Sequence, residues 1–337
     1  MRIGWFTNNR SRDYNRVSAS IWIRCYQLLD YLEQLGIHSV LDDPEAEIDI
    51  AVFVRWQDDD ALSLARRLRG RGVKIVYDLV VNYFDETDHA DFTERETNPV
   101  ERYHVEEALH MAAAADAITC ASPFIAARAS QVHPHAVAIS DSIDTRHFNR
   151  RKMPWSFFRP RLRAIWSGSE AKVYEMAPIL DVLRRHQLGL TLVTQTDRHG
   201  TPPPLKDARG QAYPYRFRPW RYETFPRTIL RGEVCVVHRE LDNPYNKGHS
   251  LFKIGVFMAQ GIPVIASPVP SYRQVLGDPG AGMLCETLDD WDDALSLITG
   301  NRRILQQWSA EARRRIEPFT TARIVEQYTA LFNTLKG

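Results

Sequence analysis

The chain has 337 residues, 44% apolar and 25% charged, the composition of a globular protein long enough for two domains. Its 43 basic and 42 acidic residues leave a net charge of +1, which argues against nucleic-acid binding through bulk charge. Cys25, Cys120, Cys235 and Cys285 lack paired spacing and MRIGWFTNN lacks a signal-peptide core, so a reducing cytoplasm is the expected compartment, without a disulfide framework or a cysteine zinc site.

In chain order, residues 2–6 (RIGWF) predict a strand, followed by the polar loop TNNRSRDYNRVSAS. Ile21, Cys25, Leu28, Leu32 and Leu35 recur at helical spacing, with Gly36 as the stop. The run 48–54 (IDIAVFV) predicts a strand covered on both faces, and DDDALSLARRLRG a helix that opens on aspartates and ends at Gly70. A strand over 73–78, a polar loop to Asn98 and a helix from Pro99 to about Ala115 follow. DAITCAS, a helix from Ser122 and AVAIS complete the first half. The boundary is placed in 146–163, RHFNRRKMPWSFFRPRLR, where seven basic residues meet no acidic one. This segment reads as a crossover linker, or else as a membrane-surface patch over 150–163. In the second reading Arg150, Arg151, Lys152, Arg159, Arg161 and Arg163 meet headgroups while Trp155, Phe157 and Phe158 insert.

Beyond it the alternation restarts. LRAIWS is a strand, YEMAPILDVLRRH a helix and LGLTLVT a strand, and the proline-rich stretch 197–214 forms no regular element. YRFRPW, a short helix around 223–230, VCVVH, a helix from about Ser250, PVIAS and GMLCE follow, and the chain is helical from 288. Strands alternating with helices predict an α/β fold with parallel sheets.

Ligands of such sheets gather where strands end and helices begin, because helix N-termini offer unpaired N–H groups to phosphate. Two junctions carry suitable chemistry. IWSGSEAKVYEM holds Gly168, Ser169 and Lys172; LDNPYNKGHSLFK holds Gly248, His249 and Ser250, with Lys253 one turn on. Each also fits a plain reading, a glycine turn with a surface lysine in the first and a serine-capped helix with a solvated lysine in the second. Lysine is a minority choice in a chain with 7 Lys against 36 Arg, a scarcity that genome composition favouring Arg also produces. No GxGxxG follows the first strand and no GxxxxGK[ST] occurs, and His133-Pro-His135 lacks a carboxylate or cysteine to complete a metal set.

KIGVFMAQGIPVIASPVPSYRQVL resembles the donor-binding core of GT-B-fold glycosyltransferases, and is similar to glycosyltransferase family 4 and its lipopolysaccharide and capsule relatives. Lys253, Met258-Ala259, Gly261, Pro263-Val264 and Ala266-Ser267 stand in the family's order. AITCAS and ISDSIDTRHF look like the end of the family's first domain, with Asp144 and Phe148 one residue further apart than usual. IWSGSEAK resembles the glycine loop opening the second domain, FRPWRYETFPRTILRGEVCVV the segment passing the nucleobase, and RRRIEPFTTARIVEQYTALFNTL the helix that crosses back. Two departures stand out: the Glu-(seven residues)-Glu of many retaining members falls on Gly248 and Val256, and Gly-Arg has become Gly168-Ser169.

The resemblance implies two doubly wound Rossmann-like domains facing a central cleft. Residues 1–150 would form the acceptor side, 151–318 the nucleotide-sugar domain and 319–337 a helix returning to the first. It implies transfer of a sugar from a nucleotide-diphosphate sugar to a glycan or lipid-linked acceptor in bacterial surface polysaccharide synthesis, with no metal or other cofactor. An epimerase and a non-catalytic binding protein share the fold and remain alternatives. Gly168, Ser169, Lys172, Arg218, Trp220, His249, Ser250 and Lys253 would bind the donor, with Lys253 also catalytic. Asp78, ending a strand, is the candidate base, with Asp85 and His104 behind it; Asp78 reads equally as a loop-anchoring carboxylate. Asn8, Asn9, Ser18 and Ser20 would border the acceptor. Arg24 would meet an anionic acceptor or form a structural ion pair.

Overall fold

The structure, a computed structural model, describes residues 1–7, 18–85, 105–197 and 199–337. It divides into two α/β units. The first comprises Met1–Asp144, Asp242–Ser250 and Phe319–Gly337; the second comprises Thr145–Leu241 and Leu251–Pro318. The division after Asp144 falls a few residues before position 150, and the excursion Asp242–Ser250 has no counterpart in the sequence reading.

In the first unit six parallel strands, β1 (Arg2–Phe6), β2 (His38–Leu41), β3 (Ile50–Val54), β4 (Lys74–Leu79), β5 (Ala117–Cys120) and β6 (Ala136–Ala138), lie in the order β2-β1-β3-β4-β5-β6. β3 is buried along its whole length, which explains its unbroken apolar run. The chain leaves β1 toward one edge and returns as β3 on the other side, so the order reverses between them. Helix Asp59–Gly70 begins where the Asp58 side chain accepts from the Ala61 N–H at 2.9 Å; helix Pro123–Ala129 begins at Ser122 with proline in its first turn. Helix Thr321–Lys336 buries Ile324, Val325, Tyr328 and Phe332 in the core that holds Ile3, Trp5 and Leu28.

The second unit repeats the plan with β7 (Arg163–Ser167), β8 (Gly189–Thr194), β9 (Arg216–Pro219), β10 (Val234–Val237), β11 (Val264–Ala266) and β12 (Gly282–Leu284), all parallel, in the order β12-β11-β10-β7-β8-β9. Here the reversal lies between β7 and β10. The single helix expected over YEMAPILDVLRRH is instead a 3-10 segment, Glu170–Ile179, followed by helix Leu180–Arg185; Pro178, inside the first, has no N–H to donate. The helix expected from Ser250 runs Phe252–Ala259 and stops before Gly261, whose φ of +75° takes the chain out of helical geometry.

The basic segment corrects part of its membrane reading. Lys152 is buried, 3.1 Å from the fully buried Glu233, which Arg159 and Arg163 also approach at 3.8 and 3.7 Å. Phe157 is fully buried as well, so neither Lys152 nor Phe157 is available to a lipid surface. All four cysteines are buried and free. Among the described residues no helix is long and apolar enough to cross a membrane.

Candidate functional site

In the second unit, β7 and β10 end side by side at the reversal of strand order, and the chain's functional candidates are densest there. β7 delivers Trp166 and Ser167 and then turns at Gly168, whose carbonyl accepts from Thr194 Oγ1 at 2.7 Å. Thr194 also accepts the Trp220 N–H at 2.8 Å, so the end of β8 holds both the glycine turn and the chain after β9. Ser169 is exposed at the head of the 3-10 segment; Lys172, partly buried, donates its N–H to the Ser169 carbonyl at 3.0 Å. Arg218 is exposed on β9. Trp220 is partly buried, its ring 6.1 Å from Phe225, which meets Phe257 edge-on.

Lys253, in the first turn of helix Phe252–Ala259, reaches back to this turn. Its ammonium lies 4.6 Å from the centre of the Trp166 ring. Gly168 leaves the room: a Cβ there would stand 2.7 Å from the Trp166 ring and 3.1 Å from Lys253 Nζ. No carboxylate pairs with Lys253 among the described residues. Burial and the positive charges of Arg239 and Lys172 bring its pKa down to about 7, against the opposing charge of Glu175.

Arg239 and Glu175 are the members of this site that the sequence did not single out. They form a buried ion pair at 3.1 Å, and the Arg239 N–H donates to Ser267 Oγ at 2.9 Å. Their partner positions lie 64 residues apart, so no local pattern joins them. The one available signal was the position of Arg239 just past the buried strand VCVV. His238, beside it, contacts the Glu175 carbonyl through Nδ1 at 2.7 Å, and burial lowers its pKa.

In the first unit Asp78 is fully buried. Its oxygens accept from Arg24 Nε at 2.8 Å and Nη2 at 2.7 Å, from Thr119 Oγ1 at 2.6 Å and from Tyr328 Oη at 2.8 Å. This corrects the assignment of Asp78 as a base facing substrate: its lone pairs are committed and solvent does not reach it. Arg24 is correspondingly a structural ion-pair partner, buried in the wide helical turn Trp22–Tyr26. The runner-up Asp85 accepts from Asn82 Nδ2 and Arg128 Nε, each at 2.7 Å.

Ser18 and Ser20 join hydroxyls at 2.8 Å, and Arg55, just past β3, donates to Ser18 Oγ at 2.9 Å. These residues sit near the reversal between β1 and β3. His249 and Ser250 belong to this unit and not to the one that holds Lys253. The His249 ring lies 4.8 Å from Tyr245. Ser250 caps no helix; its hydroxyl donates to Asp141 Oδ2 at 2.5 Å, and burial raises the Asp141 pKa. Asn8, Asn9 and His104 lie outside the described residues.

No protein-family model and no curated protein matches the chain by sequence. Solved structures do match it in shape. Sucrose-phosphate synthase from Thermosynechococcus elongatus superposes with a TM-score of 0.69 at 14% identity, over 99% of this chain and 98% of that one. HepE from Anabaena, solved in complex with UDP-glucose, gives 0.66 at 13%, over 99% and 100%. A glycosyltransferase from Rickettsia africae gives 0.66 at 9%, over 99% and 98%. At these identities the likeness speaks for architecture, and the chain has the α/β fold of the GT-B glycosyltransferases, each half a doubly wound parallel sheet.

Proposed function

We propose that this protein is a glycosyltransferase that moves a sugar from a nucleotide-diphosphate sugar to a glycan or lipid-linked acceptor of a bacterial surface polysaccharide. The observation that carries the reading is Lys253: a partly buried ammonium without a carboxylate partner among the described residues, set at the strand-order reversal beside Arg239 and Lys172. Cations held out of water without a full set of counter-charges are matched by an anion. The leaving nucleoside diphosphate gains negative charge as the glycosidic bond breaks, so preset cations stabilise the transition state more than the ground state. The Gly168 turn lets backbone and phosphate approach closely, and Trp220, just past β9 and bonded to the end of β8, offers an aromatic face for a base. The likeness to HepE, solved with UDP-glucose, supports a uridine nucleotide as the first to try.

Transfer on this reading is metal-independent, because side-chain cations stand where a divalent ion would otherwise neutralise the diphosphate. Loss of activity with EDTA and its recovery with manganese would overturn that part. A second reading, a protein that binds nucleotide sugar without turnover, is favoured by Gly248 and Val256 at the places of the glutamate pair and by the commitment of Asp78 to Arg24. Calorimetry against UDP-, GDP-, dTDP- and CMP-sugars, with hydrolysis followed in the same samples, separates the two. Binding with turnover supports transfer, binding without hydrolysis or transfer supports the second reading, and no binding overturns both.

A further inference from the structure

The opposite edge of the second sheet carries a feature that the donor site does not use. Arg163, Gly189 and Arg216 are the first residues of β7, β8 and β9, and around them opens a cavity of about 780 Å³. Arg159, Arg161, Arg163, Arg184 and Arg216 line it, together with Tyr213. The charges there are unevenly matched. Arg184 is answered by Asp181 and by Asp207, the latter at 2.9 Å, but the single carboxylate of Glu233 serves Lys152, Arg159 and Arg163. Arg161 donates from Nε to the Gln187 carbonyl at 2.8 Å, and neither Arg161 nor Arg216 has a carboxylate partner among the described residues.

Beside this cavity lies an apolar display. Met153, Trp155 and Phe158 are 52%, 61% and 51% exposed, three large apolar side chains within six residues. The short turn Pro154–Phe158 is fixed from beneath, with Phe157 fully buried, Ser156 Oγ donating to the Met153 carbonyl at 2.6 Å and Gln306 Nε2 donating to the Pro154 carbonyl at 3.3 Å. Arg302 donates to the carbonyls of Arg159 and Pro160. The turn therefore holds Trp155 and Phe158 outward at the cost of their hydration. Arg159 joins the two features, its guanidinium 5.7 Å from the Trp155 ring.

We propose that this edge is a docking face for a membrane containing anionic phospholipid. Trp155, Phe158 and Met153 enter the interfacial layer, where aromatic and apolar groups beside cations are favoured, while Arg161 and Arg216 at the cavity hold a headgroup phosphate. Charge complementarity selects the occupant: exposed guanidinium groups without a carboxylate attract an anion and the exposed apolar trio favours a hydrocarbon boundary, and an anionic bilayer supplies both at one surface. The inference is independent of the donor-site reading, since it concerns the other end of the strands.

The test is flotation of the full chain with vesicles of phosphatidylcholine alone and of phosphatidylcholine with phosphatidylglycerol. The expected result is binding only to the second, weakened by salt. Arg161→Glu combined with Arg216→Glu, and separately Trp155→Ser, should each lower the bound fraction about ten-fold or more, with thermal unfolding as in the parent. All three positions are exposed, so the variants are expected to fold. No flotation with anionic vesicles, flotation unaffected by either variant, or tighter binding to single-stranded RNA than to the vesicles would overturn the proposal.

Discussion

Lys253 and Trp166 meet across two elements of the second unit, the ammonium 4.6 Å from the indole ring centre. The ring stabilises the charge without neutralising it, which leaves the lysine able to meet an incoming phosphate. Lys253→Met keeps an unbranched apolar stem and removes the charge. Its expected effect is a loss of about 10- to 100-fold in nucleoside-diphosphate affinity, the worth of one hydrogen bond to a charged group. Calorimetric affinity and a thermal melt on the same sample check this. The melting temperature should hold or rise, because a desolvated charge has been removed.

The same lysine makes both binding and stability depend on pH. Its folded pKa of about 7 lies below the ordinary lysine value, so above pH 7 the unfolded chain holds a proton there that the folded chain has released. Stability contributed by this group therefore rises with pH from about 7 up to the unfolded lysine range, and is flat below. Diphosphate binding should run the opposite way, strongest below about pH 7 and weakening as the ammonium loses its proton. Denaturant unfolding and nucleotide titration from about pH 6 to about pH 9 would show the two slopes, and Lys253→Met should abolish this component of each.

Gly168→Ala tests the close approach at the turn. The added methyl meets the Trp166 ring and the Lys253 ammonium, and the ring has nowhere to go in a buried core. The expected outcome is destabilisation of about 1–3 kcal/mol, with a drop in nucleotide affinity that persists under conditions where the variant is fully folded. Parent-like affinity in folded Gly168→Ala would remove this turn from the binding site.

Asp78 and Arg24 form a buried pair whose disruption leaves a charge stranded. Arg24→Met should cost about 3–5 kcal/mol of stability, and Arg24→Met with Asp78→Asn should cost less than the two single changes added together. Denaturant unfolding measures both. Folded Asp78→Asn should turn over at close to the parent rate; a loss of turnover with stability intact would return Asp78 to the role of acceptor base.

Of the twelve strands among the described residues, eleven are legible in the sequence because most are buried apolar runs, bounded by turn residues and helix starts. His38–Leu41 was not: four residues at a sheet edge, mostly half-exposed, carry no alternation to detect. Topology placed Lys253 and Gly168 correctly at strand and helix ends, and their contact follows from the back-leaning geometry of a first-turn lysine. Asp78 shows the limit of that reasoning. Strand position put it at the carboxyl end of β4, but whether it faced outward was decided by Arg24, Thr119 and Tyr328, which are far away in sequence. Ser250 failed for a related reason, since its hydroxyl found Asp141, 109 residues earlier, in place of a helix N–H.

The hydrogen bond from Tyr328 to Asp78 spans 250 residues, and its consequence lies in the order of synthesis. Every residue of the second unit leaves the ribosome before the helix Thr321–Lys336 does. Until then, Ile3, Trp5 and Leu28 have an uncovered face and the Asp78 carboxylate lacks its phenolic donor. The second unit has all its strands by Leu284 and the last side chains of its core by Trp308, so its packing needs nothing from that helix. A chain stopped before residue 321 would thus carry one sealed sheet and one open to chaperones and proteases. The half of the protein made first is the half completed last.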